Sequence, residues 1–114
     1  MAIRTFEDII AWQKSKELTT EVYGYFKNTR DYSFRDQIQR ASVSIMNNIA
    51  EGFERKSNKE LKQFLFISKG SCGEVRSMLH LASELEYLTK EISSKLSDKS
   101  IEISKMLSGF IKQL

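Results

Sequence analysis

Proline is absent from the 114 residues, cysteine and histidine occur once each, and glycine five times. Without proline, neither a proline kink nor an X-Pro turn punctuates the chain, so its connections fall to Asn, Asp, Ser, Thr and Gly. The single cysteine, Cys72, excludes an intrachain disulfide and any metal site built on paired cysteines, which fits a reducing cytoplasm. The single histidine, His80, has Ser77 three residues before it, so the two Glu-x-x-His motifs of a ferritin-like di-iron bundle are excluded. No stretch approaches the ~18 uninterrupted apolar residues of a membrane span. The N-terminal Met1-Ala2-Ile3-Arg4-Thr5-Phe6-Glu7-Asp8 carries acids where a secretory signal needs an apolar run. The expectation is a cytoplasmic protein, without cofactor, that neither spans a membrane nor is secreted.

What the chain has in plenty is Lys, Glu, Leu, Ile and Ser, the vocabulary of an all-α protein with short links. At this length residues 1–114 form one domain with a core large enough to need no staples. Four helices are expected. The first runs from Phe6 to about Lys27, capped by Thr5 and Asp8, with Trp12 either a packing anchor at the bundle edge or an exposed platform. Asn28 to Ser33 breaks the pattern, and Ser33 with Asp36 opens a second helix through Phe53. The capping box Ser57 and Glu60 opens a third, whose apolar series runs from Leu61 and Phe64 through Leu65, Ile67, Val75, Met78, Leu79, Leu81, Ala82 and Leu85 to Leu88. About 32 residues would make it ~48 Å long. Ser68 to Gly73 interrupts it with small residues. Gly70 and Gly73 each cost about 1 kcal/mol in a helix interior, which asks either for close approach of a neighbouring helix or for a break into two helices. A polar stretch from Thr89 to Ser97 leads into the last helix, with Ile92, Leu96, Ile101, Ile103, Leu107, Phe110, Ile111 and Leu114. Short links make an antiparallel up-down-up-down four-helix bundle the simplest topology.

Two stripes run through the second helix at a period near 3.6. Phe34, Ile38, Ala41, Ile45, Ile49 and Gly52 form the apolar or small one, as the buried face of a helix should. Gln37, Arg40, Ser44, Asn48 and Glu51 form a polar one beside it. With Ser71 and Glu74 of the third helix, the polar stripe reads as an internal hydrogen-bonded network that sets helix register or a subunit contact. Glu51 and Glu74 are the two carboxylates placed near the interior. A paired-carboxylate acid/base site is the competing reading, but a buried Glu costs several kcal/mol unless paired, and the network would satisfy both. No catalytic residue is assigned.

The net charge is +3, unevenly spread. Arg55, Lys56, Lys59, Lys62 and Lys69 are opposed only by Glu54 and Glu60, whereas from residue 70 onward six cations balance six anions. The run is either a solvated lysine-rich helix end or a cationic patch that attracts phosphate backbones or acidic partners.

Several motifs stand in a fixed order along most of the chain. They are Phe6-Glu7-Asp8-Ile9 with Ala11-Trp12-Gln13, Gln37-Ile38-Gln39-Arg40-Ala41 with Ser44-Ile45, and Asn48-Ile49-Ala50-Glu51-Gly52-Phe53. Ser57-Asn58-Lys59-Glu60 with Phe64-Leu65, and then Gly70-Ser71 with Glu74, complete the series. In these the chain resembles the small four-helix-bundle proteins encoded within intervening sequences of bacterial 23S ribosomal RNA genes. It departs from their usual pattern at Met46, where they carry proline, and in lacking proline before the second helix. The resemblance implies a homopentameric barrel of bundles. It also implies kinship with the accessory proteins of diversity-generating retroelements, which bind a reverse transcriptase and RNA. The expected function is therefore a non-enzymatic, oligomeric, RNA-associated binding protein using the Arg55 to Lys69 surface. The alternative is a scaffold for a reverse transcriptase or other protein, presenting Trp12, Tyr23 and Tyr32.

Overall fold

The computed structural model describes residues 2–114; Met1, the first residue of the N-terminal stretch read above, lies outside the described residues. A 3-10 turn at Phe6–Asp8 precedes four helices: α1 (Ile10–Phe26), α2 (Tyr32–Phe53), α3 (Asn58–Glu84) and α4 (Lys90–Lys112). Among the described residues there is no strand, and no helix is long and apolar enough to cross a membrane. Each helix packs against its two neighbours around a ring, α1 on α2 and α4, α3 on α2 and α4. The 27 residues of α3 account for ~40 Å of length, close to the 43 Å long axis of the molecule.

Short side chains in the helix seams fix the antiparallel order. The Thr19 hydroxyl of α1 shares its one proton between the Ser15 carbonyl of its own helix at 2.8 Å and the Ser42 carbonyl of α2 at 3.0 Å, and further along Phe26 meets Phe34 at 5.6 Å between ring centroids. Ser68 of α3 donates to the Ile45 carbonyl of α2 at 2.7 Å. From α4, Ser93 donates to the Leu79 carbonyl at 2.6 Å and Ser100 to the Cys72 carbonyl at 2.8 Å. In every pair residue numbers rise on one helix as they fall on the other. A serine has too little bulk to hold two helices apart, and when buried it needs an acceptor, which the facing backbone supplies. Between these seams Leu18, Val22, Phe26, Ile38, Ile45, Ile49, Leu65, Val75, Leu79, Leu96, Ile103 and Leu107 fill the core.

Four expectations require correction. The Thr5 and Asp8 cap belongs to the 3-10 turn, where the Asp8 carboxylate accepts from the Arg4 and Thr5 amides at 2.9 and 3.2 Å. Ile9 is then extended, which resets the helical phase so that Ile9 is buried and Ile10 exposed. The cap of α2 is Asp31 rather than Ser33; its carboxylate accepts from the Phe34 amide at 3.1 Å. The α3 helix is unbroken through Gly70 and Gly73, yet a Cβ on either would meet nothing within 4 Å, so neither glycine answers to close approach inside this chain. Finally, α3 stops at Glu84, short of Leu88, and α4 begins at Lys90 with Thr89 as its cap, so the serines expected in a link lie inside α4.

The stop at the end of α3 has a clear chemistry. The Tyr87 amide reaches back to the Ala82 carbonyl at 2.8 Å and the Glu86 amide to the Ser83 carbonyl at 3.1 Å, the paired bonds of a Schellman cap. The position between helix and link needs a left-handed backbone, and Glu86 occupies it with φ of 61°. The turn delivers Tyr87 against Phe34, 5.3 Å between centroids, and its hydroxyl donates to the Asp31 carboxylate at 2.7 Å. The α3 terminus thus locks the cap of α2. The Tyr87 bond, with the Phe34 amide behind it, holds the Asp31 carboxyl below the usual carboxylate range.

Glycine is the residue a left-handed cap prefers. Glu86→Gly is expected to raise stability by about 0.5 to 1 kcal/mol with no change in helix content. Urea unfolding followed by circular dichroism checks it; a lower midpoint would show that the Glu86 side chain contributes something the backbone account omits.

Candidate nucleic-acid interface

The polar stripe of α2 does not lie inside the bundle. It lies along the open groove between α2 and α3, and the structure joins it in separate pieces. The Gln37 amide donates to the Glu74 carboxylate at 2.5 Å. The Ser44 and Ser71 hydroxyls bond at 2.9 Å, and the Asn48 amide donates to the carbonyl and hydroxyl of Ser44 at 2.8 and 2.9 Å. Of these only Ser71 is buried, while Gln37 and Glu74 are exposed. Arg40 is exposed and, among the described residues, makes no ion pair. Glu51 leaves the set altogether, pairing with Arg55 one turn on at 2.8 Å with its side chain 52% exposed.

The expectation of two interior carboxylates is thus corrected. An acid one turn from an arginine gains more from that surface pair than from burial. Glu74 faces Gln37, so Glu51 stands ~21 Å away along α2, too far for two carboxyls to act on one bond. The groove is instead an open depression of about 460 Å³ bearing amides, hydroxyls, the Glu74 carboxylate and one guanidinium without an ion-pair partner among the described residues.

The cationic run divides in two. Arg55, Lys56 and Lys59 surround the α2–α3 link and are exposed. Arg55 is occupied by Glu51, and its guanidinium lies 4.9 Å from the centre of the Phe64 ring. Lys62 and Lys69 are half-buried and lie further along α3, seven residues apart and therefore on one stripe. Arg76 continues that stripe by another seven. It was absent from the sequence-derived set, although the spacing of Lys62, Lys69 and Arg76 carried the signal. This stripe lies toward α4. Burial pushes the Cys72 thiol up to about 12, and both Arg76 and Lys69 are near enough for their charges to oppose that rise. Among the described residues Lys56, Lys59, Lys62, Lys69 and Arg76 have no acidic partner, whereas Lys14, Arg35, Arg55 and Lys99 are each paired.

The aromatics divide similarly. Trp12 is half-buried, packed edge-on against Phe6 at 5.1 Å with the Lys16 ammonium 5.6 Å from its ring. Tyr23 and Tyr32 are exposed. No cluster of three or more His, Cys, Asp or Glu among the described residues could hold a metal ion.

The geometry defines a four-helix bundle with a hydrogen-bonding groove on one side and a cationic stripe without acidic partners among the described residues on another. The profile of the 23S rRNA-intervening sequence proteins matches residues 7–109, and the chain belongs to that family. Among solved structures it is similar to a protein of unknown function from the S23 ribosomal protein family of Bacteroides thetaiotaomicron. The two share 27% identity and a TM-score of 0.83, over 90% of this chain and 96% of that one. No curated protein matches.

Within Asn48 to Phe53, the glycine has a steric cause. A Cβ at Gly52 would stand 2.7 Å from the Phe64 Cβ and 3.1 Å from the Leu61 Cδ1, so α2 and α3 meet closely there. Gly52→Ala is therefore expected to cost about 1 to 3 kcal/mol despite alanine's better helix propensity. Thermal denaturation reads it, and an unchanged or higher midpoint would contradict the close approach.

Proposed function

We propose that this protein is a non-enzymatic, RNA-associated binding protein that acts as a homo-oligomer and contacts phosphate backbones through its α3 cations. The observation that carries the reading is the set of unpaired cations at the start and along one flank of α3. Charges left without acidic partners keep their field for an external anion. The family's link to ribosomal RNA genes supports the same direction.

Oligomerisation is supported by a second face of α3. Gly70 is exposed there among Phe66, Ile67, Leu81 and Leu85, all large apolar side chains at least 44% exposed. Exposed apolar side chains on a helix that also carries Gly70 and Gly73 suit the close approach of a helix from another copy, which would give the two glycines the reason absent within the chain. Five copies, as the family resemblance implies, would multiply a weak cationic surface into one that binds a single long ligand. Exposed Tyr23 and Tyr32 favour a second reading, a scaffold for a reverse transcriptase or other protein partner.

Fluorescence anisotropy with a structured RNA, from about 50 to about 300 mM salt, tests the proposal. Association is expected at the low end and falls steeply with salt. Reversing Lys56, Lys59 and Lys62 to glutamate is expected to weaken it at least about tenfold and to flatten the salt dependence by about one per lost contact. Absence of binding at the lowest salt sinks the RNA reading and leaves the scaffold.

A further inference from the structure

The cationic stripe of α3 ends at a depression of about 360 Å³ between the second half of α3 and the start of α4. Arg76 and His80 line it from α3, and Lys90, Ser94, Ser97 and Asp98 from α4. The two helices are joined here by the Ser93 bond to the Leu79 carbonyl and the Ser100 bond to the Cys72 carbonyl. Between those two serines lies Ser97, one turn from each.

Ser97 is 7% exposed, and its hydroxyl is buried without any hydrogen-bond partner. Its neighbours Ser93 and Ser100 both found carbonyls on α3, so this orphan is not the ordinary fate of a serine in the seam. A buried hydroxyl left unpaired costs about 1 to 3 kcal/mol. Ser97 is one of the residues that line the depression. Around it, Arg76 and Lys90 have no ion-pair partner among the described residues, and Lys90 opens α4, where backbone amides add positive potential.

We propose that this depression binds a phosphate group, with Arg76 and Lys90 holding its charge and Ser97, Ser94 and His80 bonding its oxygens. Cations from two helices, converging on hydroxyl and imidazole donors, suit a tetrahedral anion with several acceptor oxygens. Asp98, the acid on the same wall, offsets one of the two fixed positive charges and keeps the affinity modest. The phosphate can be a backbone phosphodiester or a free phosphate or phosphomonoester. In the first case the site deepens the RNA reading above and rests on it; in the second it stands apart.

Two titrations of ¹⁵N-labelled protein, followed by NMR, separate these cases: one with millimolar inorganic phosphate, one with a short single-stranded RNA lacking terminal phosphates. Saturable shifts at the amides of residues 90 to 98 and at the His80 ring are expected, and Arg76→Gln is expected to weaken them at least about tenfold. Ser97→Ala serves as the second variant, because it removes the orphan hydroxyl: the free protein should be at least as stable, while phosphate affinity falls. RNA shifts at residues 90 to 98 assign the site to a phosphodiester. Shifts with inorganic phosphate and no RNA association keep the site and overturn the RNA reading. RNA shifts confined to residues 55 to 62, with no response to phosphate, overturn the site and keep the RNA reading. No response to either ligand overturns both.

Discussion

A buried hydroxyl aimed at a carbonyl of the next helix is the contact on which this bundle depends. Ser68, Ser93 and Ser100 each make one, joining α2 to α3 and α3 to α4, and Thr19 shares its proton between its own helix and the Ser42 carbonyl of α2. Apolar packing supplies most of the driving force, but it is non-directional and tolerates sliding. A short hydroxyl beneath a facing carbonyl allows one register at one distance. Register in turn decides which residues of α3 look outward, so the position of the cationic stripe follows from the serines.

The outer surface is organised by the same constraint. With the Ser44 and Ser71 hydroxyls closing the groove on the α2 side, Gln37 holds Glu74 at its rim. On the α4 side Lys69 and Arg76 flank the seam at Cys72 without acidic partners. Helix α3 thus presents a hydrogen-bonding face with Ser71 and the Glu74 carboxylate, a cationic stripe, and exposed apolar side chains around Gly70.

Much of the fold was legible in the sequence because periodicity reports burial directly. Phe34, Ile38, Ala41, Ile45, Ile49 and Gly52 are all buried, and Ser57 caps α3 as its spacing with Glu60 indicates. What was not legible depended on tertiary partners. Serine favours caps and turns by local propensity, so Ser68, Ser93 and Ser97 read as interruptions; only a facing helix turns them into seam residues. Asp31 and Ser33 both cap well in isolation, and Tyr87, 56 residues away, reinforces Asp31. The candidate site was legible in part. Lysine composition located the run from Arg55 to Lys69, but its division into a link cluster and a stripe required helical phase, as did the inclusion of Arg76. Glu51 was misplaced because a period alone does not say where a groove opens to solvent.

The measurement that tests the central claim most directly is the stability of Ser68→Leu. Leucine is a better helix former than serine, and burying it in an ordinary core position adds about 1.5 to 3 kcal/mol. If close helix approach through a short hydroxyl sets the register, the larger side chain forces α2 and α3 apart and removes the bond to the Ile45 carbonyl. Urea unfolding should then show a loss of about 2 to 4 kcal/mol. An unchanged or increased stability would contradict the account, because it would mean that apolar packing alone fixes how the helices meet.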